Sequence, residues 1–268
     1  MIFMIIVLIV VLSVCLLLFL VSPSRRKNKD LDILKGRYIA HRGLHDITGN
    51  TPENSLAAFR QAAELGFAVE NDIHLTADGE VVVFHDSELE RMCGVSGKIE
   101  EMTLRELKKL RIAETDCQIP TLKECLEVIN GRVPLMIEFK CPTIKCRALC
   151  EVADKTLSQY KGDYFIQSFN PMVLWWYRKN RKEVCRGQLA TRFKGESLYK
   201  RMLGNMLFNF LSRPDFVSYE QCFAKQPMFR LVRRLGAFPV GWTFRSQSEL
   251  NETRQSFKSY IFENFIPD

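Results

Sequence analysis

The chain has 268 residues, of which 47% are hydrophobic and 26% are charged. These proportions are those of a globular protein, which excludes a disordered or fibrous chain and allows a core that needs no disulfide or structural metal. The formal net charge of +7 is moderate, and we expect no nucleic-acid partner.

The first predicted element is an apolar helix. Residues 1–24 carry no charge, and residues 2–21 are almost all Ile, Val, Leu, Phe or Met. As a helix this run would rise roughly 30 Å, which matches the hydrocarbon core of a bilayer. A cleaved signal peptide would have positive charge before the run and a small-residue cleavage site after it, and neither is present. We therefore predict a retained transmembrane helix over residues 1–24.

A basic juxtamembrane linker, residues 25–36, follows the apolar run. Its basic residues outnumber its two acids, Asp30 and Asp32, by three; they are Arg25, Arg26, Lys27, Lys29 and Lys35. A basic cluster beside a span favours contact with anionic membrane lipid over nucleic acid. Basic clusters beside a span favour the cytoplasmic side of the membrane. We therefore predict a single-pass protein of the cell membrane with a cytoplasmic catalytic body. The opposite orientation stays open, since long domains can override the charge bias.

The cysteines agree with a reducing compartment. There are nine, an odd number, and Cys15 lies in the apolar run. The spacing of Cys141, Cys146 and Cys150 fits no common zinc motif. We therefore expect free thiols rather than a disulfide framework.

Past residue 36 the sequence alternates between helical and extended patterns. Helical spacing predicts a helix over residues 53–65, and Thr103 and Thr121 are predicted to cap two more, the second with Glu124 in a capping box. Two strand candidates flank a short turn and are too close for a helical crossover, so one of them is a hairpin arm. The other eight predict an α/β fold, a TIM-type (β/α)8 barrel over residues 37–268. The nine candidates are residues 38–41, 68–74, 81–85, 134–139, 164–168, 184–189, 215–219, 238–244 and 260–263.

Polar residues stand at the carboxyl ends of four of these strands, where barrels of this type carry their functional side chains. Residues two apart on a strand share a face, so Glu70 joins Asp72 and Glu138 joins Lys140. A hairpin centred within the turn after the second strand would also place His85 opposite Asp72. The full set is His41, Arg42, Glu70, Asp72, His85, Glu138 and Lys140.

An ordered series of motifs contains these residues. Through these motifs and their order, the sequence resembles the family of glycerophosphodiester phosphodiesterases. The resemblance covers almost everything after residue 36, and the ordered set is far more specific than any single motif. The series comprises HRG at 41–43, PEN at 52–54, VENDIHLTADG at 69–79, VVVFHD at 81–86, IPTL at 119–122, MIEFK at 136–140, QSFNP at 167–171 and GWTF at 241–244.

The resemblance implies a TIM-type barrel, a divalent metal (Ca²⁺ or Mg²⁺) and hydrolysis to an alcohol and sn-glycerol 3-phosphate. It also implies that His41 and His85 are the general acid and base, without saying which is which. The metal ligands that it implies are Glu70, Asp72 and Glu138.

The sequence departs from the family pattern in two places. Asn71 replaces the apolar residue that usually separates the two acids, but it faces away from the site. IFENFIP at 261–267 stands where the family often ends on a Thr-Asp-Tyr-Pro type strand. The contribution of this last loop to substrate binding therefore stays open.

The chemistry of these residue types leads to the same roles. Three carboxylates without a sulfur ligand suit a hard cation, which can polarise a phosphoryl oxygen. Arg42 and Lys140 suit the non-bridging phosphate oxygens. Imidazole, with an ordinary pKa of about 6.5, suits proton transfer to and from oxygen. The attacking group could be a neighbouring glycerol hydroxyl, which gives a cyclic intermediate, or water.

Several residues also have simpler interpretations. The two cations could be ion-pair partners of the acids. Glu53 could tune the metal site or favour the first turn of a helix. Trp242 could line a glycerol pocket or pack in the barrel core, and we expect His45 and His74 to be ordinary hydrogen-bonded histidines.

Three functions are consistent with this sequence. The first is a phosphodiesterase for soluble small-molecule glycerophosphodiesters, such as glycerophosphocholine. The second is a lysophospholipase D that cleaves head groups of lysophospholipids with the same site. The third is a non-enzymatic, membrane-attached binding barrel, which loss of a histidine or metal carboxylate would favour, but all are present. The oligomeric state is left open.

The segment 194–234 carries eight basic residues against three acidic ones, with many apolar residues between them. The first interpretation is an outer barrel helix that buries its apolar face against the strands. The alternative is a surface that lies against the bilayer and brings the barrel mouth toward lipid.

Overall fold

Parallel strands close into a barrel in this computed structural model, which describes residues 1–26, 30–46 and 51–268. The described residues contain nine strands: β1 (Tyr38–Ala40), β2 (Ala68–Leu75), β3 (Val81–Val83), β4 (Leu135–Phe139), β5 (Tyr164–Ser168), β6 (Arg186–Ala190), β7 (Phe216–Glu220), β8 (Phe238–Phe244) and β9 (Ser259–Phe262). Eight of them pair in parallel, and the barrel closes because β1 pairs with both β2 and β9. The predicted TIM-type fold is confirmed.

The short strand β3 is the hairpin arm outside the barrel, since it pairs antiparallel with β2. Its predicted register is wrong by one residue. The main-chain N–H of Phe84 donates to the Asp72 carbonyl at 3.0 Å, in the place predicted for His85. The turn explains the shift: Gly79 adopts φ +82° and completes a three-residue loop, so the hairpin is centred on one residue instead of between two.

Helices occupy most connections between the barrel strands. In the described residues they are α1 (Ile2–Val21), α2 (Leu31–Leu34), α3 (Leu56–Glu64), α4 (Glu90–Cys93), α5 (Leu104–Leu107), α6 (Leu122–Ile129), α7 (Arg147–Leu157), α8 (Pro171–Asn180), α9 (Leu198–Gly204), α10 (Asn209–Ser212), α11 (Pro227–Arg234) and α12 (Gln247–Thr253). Short 3₁₀ turns lie at Ile99–Glu101, Gln221–Phe223 and Arg254–Ser256.

Side-chain caps set the starts of several helices. The predicted caps Thr103 and Thr121 are confirmed, and both form a capping box with an acid three residues later. The helix predicted from residue 53 begins later, because the Ser55 hydroxyl accepts from the Ala58 N–H at 3.1 Å and so fixes Ser55 as the N-cap.

The barrel interior changes from apolar to polar along the strands. Near the strand starts the inward residues form one buried apolar cluster, and Leu34 of α2 packs against it. Its members include Ile39, Met136, Phe165, Phe216 and Ile261. Two residues later on the same strands the same inward face carries His41, Glu138, Gln167, Ser218 and Glu263. The polar carboxyl end of the barrel therefore contains the predicted site residues.

The apolar helix α1 joins the barrel at the opposite, amino-terminal end. Among the described residues, α1 is the helix that is long and apolar enough to cross a membrane, and 6% of its most apolar stretch is buried. Beyond α1, the N–H of Ser24 donates to the Pro214 carbonyl at 2.8 Å, and Arg26 lies 3.0 Å from the Asp215 carboxylate. Because Pro214 and Asp215 directly precede β7, this junction lies where the strands begin.

The predicted linker contains structure of its own. Its residues 31–34 form α2, and the Ser259 hydroxyl donates to the Leu34 carbonyl at the floor of the barrel. Lys27 and Lys29 of the predicted basic cluster lie outside the described residues.

Apolar residues of the segment 194–234 divide between burial and exposure. Leu203 is buried, as the packing interpretation requires, whereas Leu198 is 71% exposed. Part of the segment packs on α1, with the rings of Phe210 and Phe19 centred 5.8 Å apart. Because this contact lies at the amino-terminal junction, it does not turn the mouth of the barrel toward α1.

Candidate active site

Three carboxylates meet at the carboxyl ends of β2 and β4. The strand register places Asp72 beside Glu138, and Glu70 shares the inward face of β2 with Asp72. One carboxylate oxygen from each residue lies within 4.8 Å of those of the other two, and all three side chains are buried. The sequence placed the two acids of β2 together, and the pairing of β2 with β4 adds the third. We call this group the carboxylate trio.

Burial and mutual repulsion perturb the trio. Burial raises the pKa of Glu70, and the charges of Asp72 and Glu138 raise it further. Burial also raises the pKa of Glu138, against the opposing effect of Lys140. Burial acts in the same direction on Asp72, but Lys140 and His85 outweigh it and hold that pKa well below its ordinary value. A divalent cation would stabilise this concentration of negative charge.

Two cations border the trio. The Nζ atom of Lys140 lies 2.7 Å from Glu138 and 3.0 Å from Asp72. The main-chain N–H of Arg42 donates to Glu70 at 3.1 Å, and its Nε lies 3.6 Å from Asp72. Arg42 has φ +58°, uncommon for a residue with a Cβ atom, so its neighbours hold it in place. Both cations are ion-pair partners of the acids.

His41 follows β1 and forms a tight pair with the last strand. Its Nδ1 lies 2.5 Å from Oε2 of Glu263, whose other oxygen lies 2.8 Å from Nε of Arg245. Burial lowers the pKa of His41, and the bond to Glu263 opposes this effect. Burial raises the pKa of Glu263, but His41 and Arg245 outweigh it and bring that pKa to about 2. Glu263 thus engages Nδ1, and Nε2 lies outside this pair.

His85 follows β3 on the same rim. Its Nδ1 lies 2.6 Å from Oδ1 of Asp86, and its side chain is 30% exposed. Burial lowers the pKa of His85, although the charge of Asp72 opposes this shift. A cavity of about 230 Å³ opens beside His85, Glu138 and Lys140. His85 therefore reaches the site without the strand register that the sequence predicted for it.

Two residues that sequence reasoning did not single out complete the rim. Glu263 orients His41, and it belongs to the IFENFIP segment that departs from the family pattern. Asn54 donates from Nδ2 to Oδ2 of Asp72 at 2.9 Å, and its φ of +56° turns the chain toward the trio. The PEN motif at 52–54 was the available indication for Asn54. For Glu263 the available indication was its place at the carboxyl end of the strand predicted at 260–263, but its partner His41 lies 222 residues away in the chain and could not be predicted.

Glu53 and Trp242 each had two interpretations. Glu53 bonds Arg42 at 2.8 Å and Arg91 at 2.6 Å, and since α3 begins at Leu56, a role in its first turn is wrong. Trp242 is half-buried, its ring lies 5.7 Å from that of Phe169, and its Nε1 has no hydrogen-bond partner within the described ranges.

The other two histidines and Asn71 differ in their surroundings. His74 bonds Glu100 at 2.7 Å, as expected of a structural histidine. The buried Nε2 of His45 finds no hydrogen-bond partner among the described residues, and the expectation for His45 stays a prediction. Asn71 faces away from the site, as predicted, and its Nδ2 lies 3.2 Å from the sulfur of Cys125 on α6.

The donor set of the trio fits a hard divalent cation. It offers carboxylate oxygens from three buried side chains, and the Nδ1 atoms of both neighbouring histidines are engaged by other acids. Oxygen donors without sulfur are those that Ca²⁺ and Mg²⁺ prefer. Glu70, Asp72 and Glu138 are thus the residues that could hold the ion.

Comparisons of sequence lead to one family. Residues 41–264 match the Glycerophosphoryl diester phosphodiesterase family. A glycerophosphodiester phosphodiesterase of Caldanaerobacter subterraneus subsp. tengcongensis is 37% identical over 147 residues, which cover 51% of this chain and 59% of that protein. A lysophospholipase D of Rattus norvegicus is 30% identical over 154 residues, which cover 53% of this chain and 46% of that protein. The chain thus spans about half the length of the curated relatives it matches.

Comparison of structures agrees. A phosphodiesterase of Oleispira antarctica, solved in complex with the product sn-glycerol-3-phosphate, superposes with a TM-score of 0.70 and 25% identity. The alignment covers 85% of this chain and 93% of that one. The family match begins at His41 and contains every predicted site residue as well as Glu263. The family expected from the motifs is confirmed, and the chain belongs to the glycerophosphoryl diester phosphodiesterase family.

Proposed function

We propose that this chain is a phosphoric diester hydrolase that cleaves glycerophosphodiesters to an alcohol and sn-glycerol 3-phosphate with the help of a divalent metal. The observation that carries the proposal is the carboxylate trio, with oxygens within 4.8 Å of one another, bordered by two cations and two carboxylate-paired histidines. Membership of the family and the likeness to a phosphodiesterase solved with sn-glycerol-3-phosphate support it.

The charged residues would bind and polarise the phosphodiester. A Ca²⁺ or Mg²⁺ ion held by Glu70, Asp72 and Glu138 would supply Lewis acidity toward a phosphoryl oxygen. Lys140 and Arg42, at the edge of the trio, would bind the non-bridging oxygens, Arg42 through its guanidinium fork and Lys140 as a point charge. Half-buried Trp242 would form an apolar wall for the glycerol moiety.

The two histidines would move the protons. Each has Nδ1 fixed by a carboxylate, so each presents Nε2 as donor or acceptor. One would take a proton from the attacking group, which is either water or the neighbouring glycerol hydroxyl. Attack by the hydroxyl would give a cyclic phosphate, which water would then open to sn-glycerol 3-phosphate. The other would give a proton to the departing alkoxide.

The position of α1 favours a soluble substrate over a lipid. The junction with α1 lies where the strands begin, at Asp215, and the trio lies toward their carboxyl ends, in the same inward layer as Ser218, about 10 Å farther along strands that rise about 3.3 Å per residue. A membrane at α1 would therefore face the closed floor of the barrel. The likeness to a rat lysophospholipase D is what favours lysophospholipids as the second candidate.

Parallel assays of head-group release test this choice. We expect the full chain in detergent micelles to release choline from glycerophosphocholine with at least about tenfold higher kcat/KM than from lysophosphatidylcholine, because the mouth opens away from α1. Each assay is run with Ca²⁺, with Mg²⁺ and after chelation. A preference for lysophosphatidylcholine would overturn the soluble-substrate proposal. Absence of release from both substrates with either metal would favour the binding barrel.

We further propose that the barrel is cytoplasmic, since Arg25 and Arg26 directly follow α1. Cys222 is the exposed thiol of the barrel and can report its side of the membrane. Burial and the charge of Glu220 raise its pKa to about 11, so long labelling times are needed. A membrane-impermeant maleimide should label Cys222 only after permeabilisation, with Cys222→Ser as the control. Equal labelling in intact cells would reverse the orientation.

A further inference from the structure

A second, strongly basic cavity lies at the junction between α1 and the barrel. It measures about 680 Å³ and is walled on one side by apolar residues of the last turns of α1, among them Leu18 and Phe19. No acidic residue lines it within the described part of the chain. Its other wall contains six basic residues: Arg25, Arg26, Arg178, Lys182, Arg186 and Arg213.

Most of this positive charge lacks a partner of opposite charge. The carboxylate of Asp215 lies 3.0 Å from Arg26 and 3.7 Å from Arg186. The remaining four basic side chains make no ion pair within residues 1–26, 30–46 and 51–268; they are Arg25, Arg178, Lys182 and Arg213. The junction thus keeps an excess of cations that an anion would stabilise.

Main-chain carbonyls orient several of these cations without neutralising them. Arg178 donates to the carbonyls of Phe210 and Leu211 at 2.9 and 2.8 Å. Arg213 donates to the carbonyls of Phe19 and Ser22, both at 2.9 Å. Burial lowers the pKa of Arg213, and the neighbouring charges of Arg178 and Arg25 lower it further. The guanidinium groups are held close together at a cost in repulsion, which is typical of a preformed anion site.

With α1 across a bilayer, the cavity would stand at the height of the lipid head groups. The 20 residues of α1 rise about 30 Å, the thickness of a bilayer core, and the cavity begins at the carboxyl end of this helix. Apolar Leu18 and Phe19 would then meet acyl chains, while the basic wall lies at the phosphate level. This combination matches a phospholipid in charge and polarity, whereas a soluble anion would use only the basic wall.

We infer that this cavity binds the phosphate of an anionic phospholipid, with its acyl chains along the end of α1. The bound lipid is a structural ligand and not a substrate, because the cavity lies at the opposite end of the barrel from the carboxylate trio. The inference rests on α1 lying in a membrane and is independent of the proposed hydrolysis.

Lipid titration of the full chain tests the site. In nonionic detergent, native mass spectrometry would follow binding of dioctanoyl phosphatidylglycerol and dioctanoyl phosphatidylcholine. We expect tighter binding of the anionic lipid, and a loss of roughly tenfold or more in its affinity in the double variant Arg25→Gln/Lys182→Gln. Neither side chain makes a bond within the described residues, so this variant should fold. A melting temperature equal to that of the wild type checks this.

A matched variant separates a site from general surface charge. Arg105→Gln/Lys109→Gln removes the same charge from exposed positions after the hairpin, on the far side of the barrel from β6 and β7. It should keep the wild-type affinity for the anionic lipid. An equal loss in both double variants, or equal binding of the two lipids by the wild type, would overturn the inference.

Competition distinguishes a lipid head group from free phosphate. Inorganic phosphate and sn-glycerol 3-phosphate, each in large excess over the lipid, should leave phosphatidylglycerol binding unchanged, because neither uses the apolar wall. Displacement by either anion at concentrations similar to the lipid would replace the lipid assignment with a simple phosphate site. Since every readout is binding, failure of the hydrolase proposal would leave these results interpretable.

Discussion

Replacement of His41 or His85 by alanine is expected to lower kcat by about 10²- to 10⁴-fold, the range that a single general acid or base contributes. Both imidazoles stand on the rim beside the carboxylate trio, and each has Nδ1 engaged by an acid. Turnover of glycerophosphocholine with saturating metal gives the measurement. Far-ultraviolet circular dichroism and the melting temperature must match the wild type. A folded variant with near-normal kcat would remove that histidine from the mechanism.

Glu263→Gln tests the role of His41 without removing its imidazole. The amide keeps the shape of the carboxylate but lacks its negative charge. In the wild type this charge stabilises the protonated imidazole of His41. The pKa of His41 should therefore fall, and the limb of the pH–rate profile that belongs to His41 should move to lower pH. The other limb should stay in place. A profile identical to the wild type would show that Glu263 does not act through His41.

Removal of the metal is expected to abolish hydrolysis, and added Ca²⁺ or Mg²⁺ should restore it. The reason is the carboxylate trio, whose buried acids repel one another, a repulsion that Lys140 and Arg42 offset only in part. Glu70→Gln should weaken metal affinity by roughly 100-fold or more, since it removes one charged ligand of three. Titration of the chelated protein with metal, followed by melting temperature, measures affinity without relying on activity.

A distant acid controls for loss of charge alone. Glu127→Gln changes an exposed acid on α6, away from the trio, and should leave both metal affinity and kcat unchanged. Wild-type hydrolysis that survives thorough chelation would overturn the metal dependence. If metal raises the melting temperature of Glu70→Gln as much as that of the wild type, the ion must bind at another site.

Features that depend on neighbouring residues could be predicted from the sequence. The spacing of apolar residues and the caps at Thr103 and Thr121 predicted helices in the right places. The alternation of strand side chains placed Glu70 with Asp72 on one face, since alternate residues of a strand point the same way. The motif order indicated the family. Each of these features depends on residues that are a few positions apart in the sequence, or on the order of motifs along the chain.

Only the tertiary structure decided the contacts between distant segments. Closure of the barrel through β1 and β9 brings Glu263 to His41, and the loop before α3 brings Asn54 to Asp72. The one-residue shift of β3 depended on the conformation of a single glycine. The position of the α1 junction, at the end of the barrel away from the trio, depended on packing against α10 and β7. No local pattern encodes such contacts, because strand register and the packing of distant segments are set by the whole chain at once.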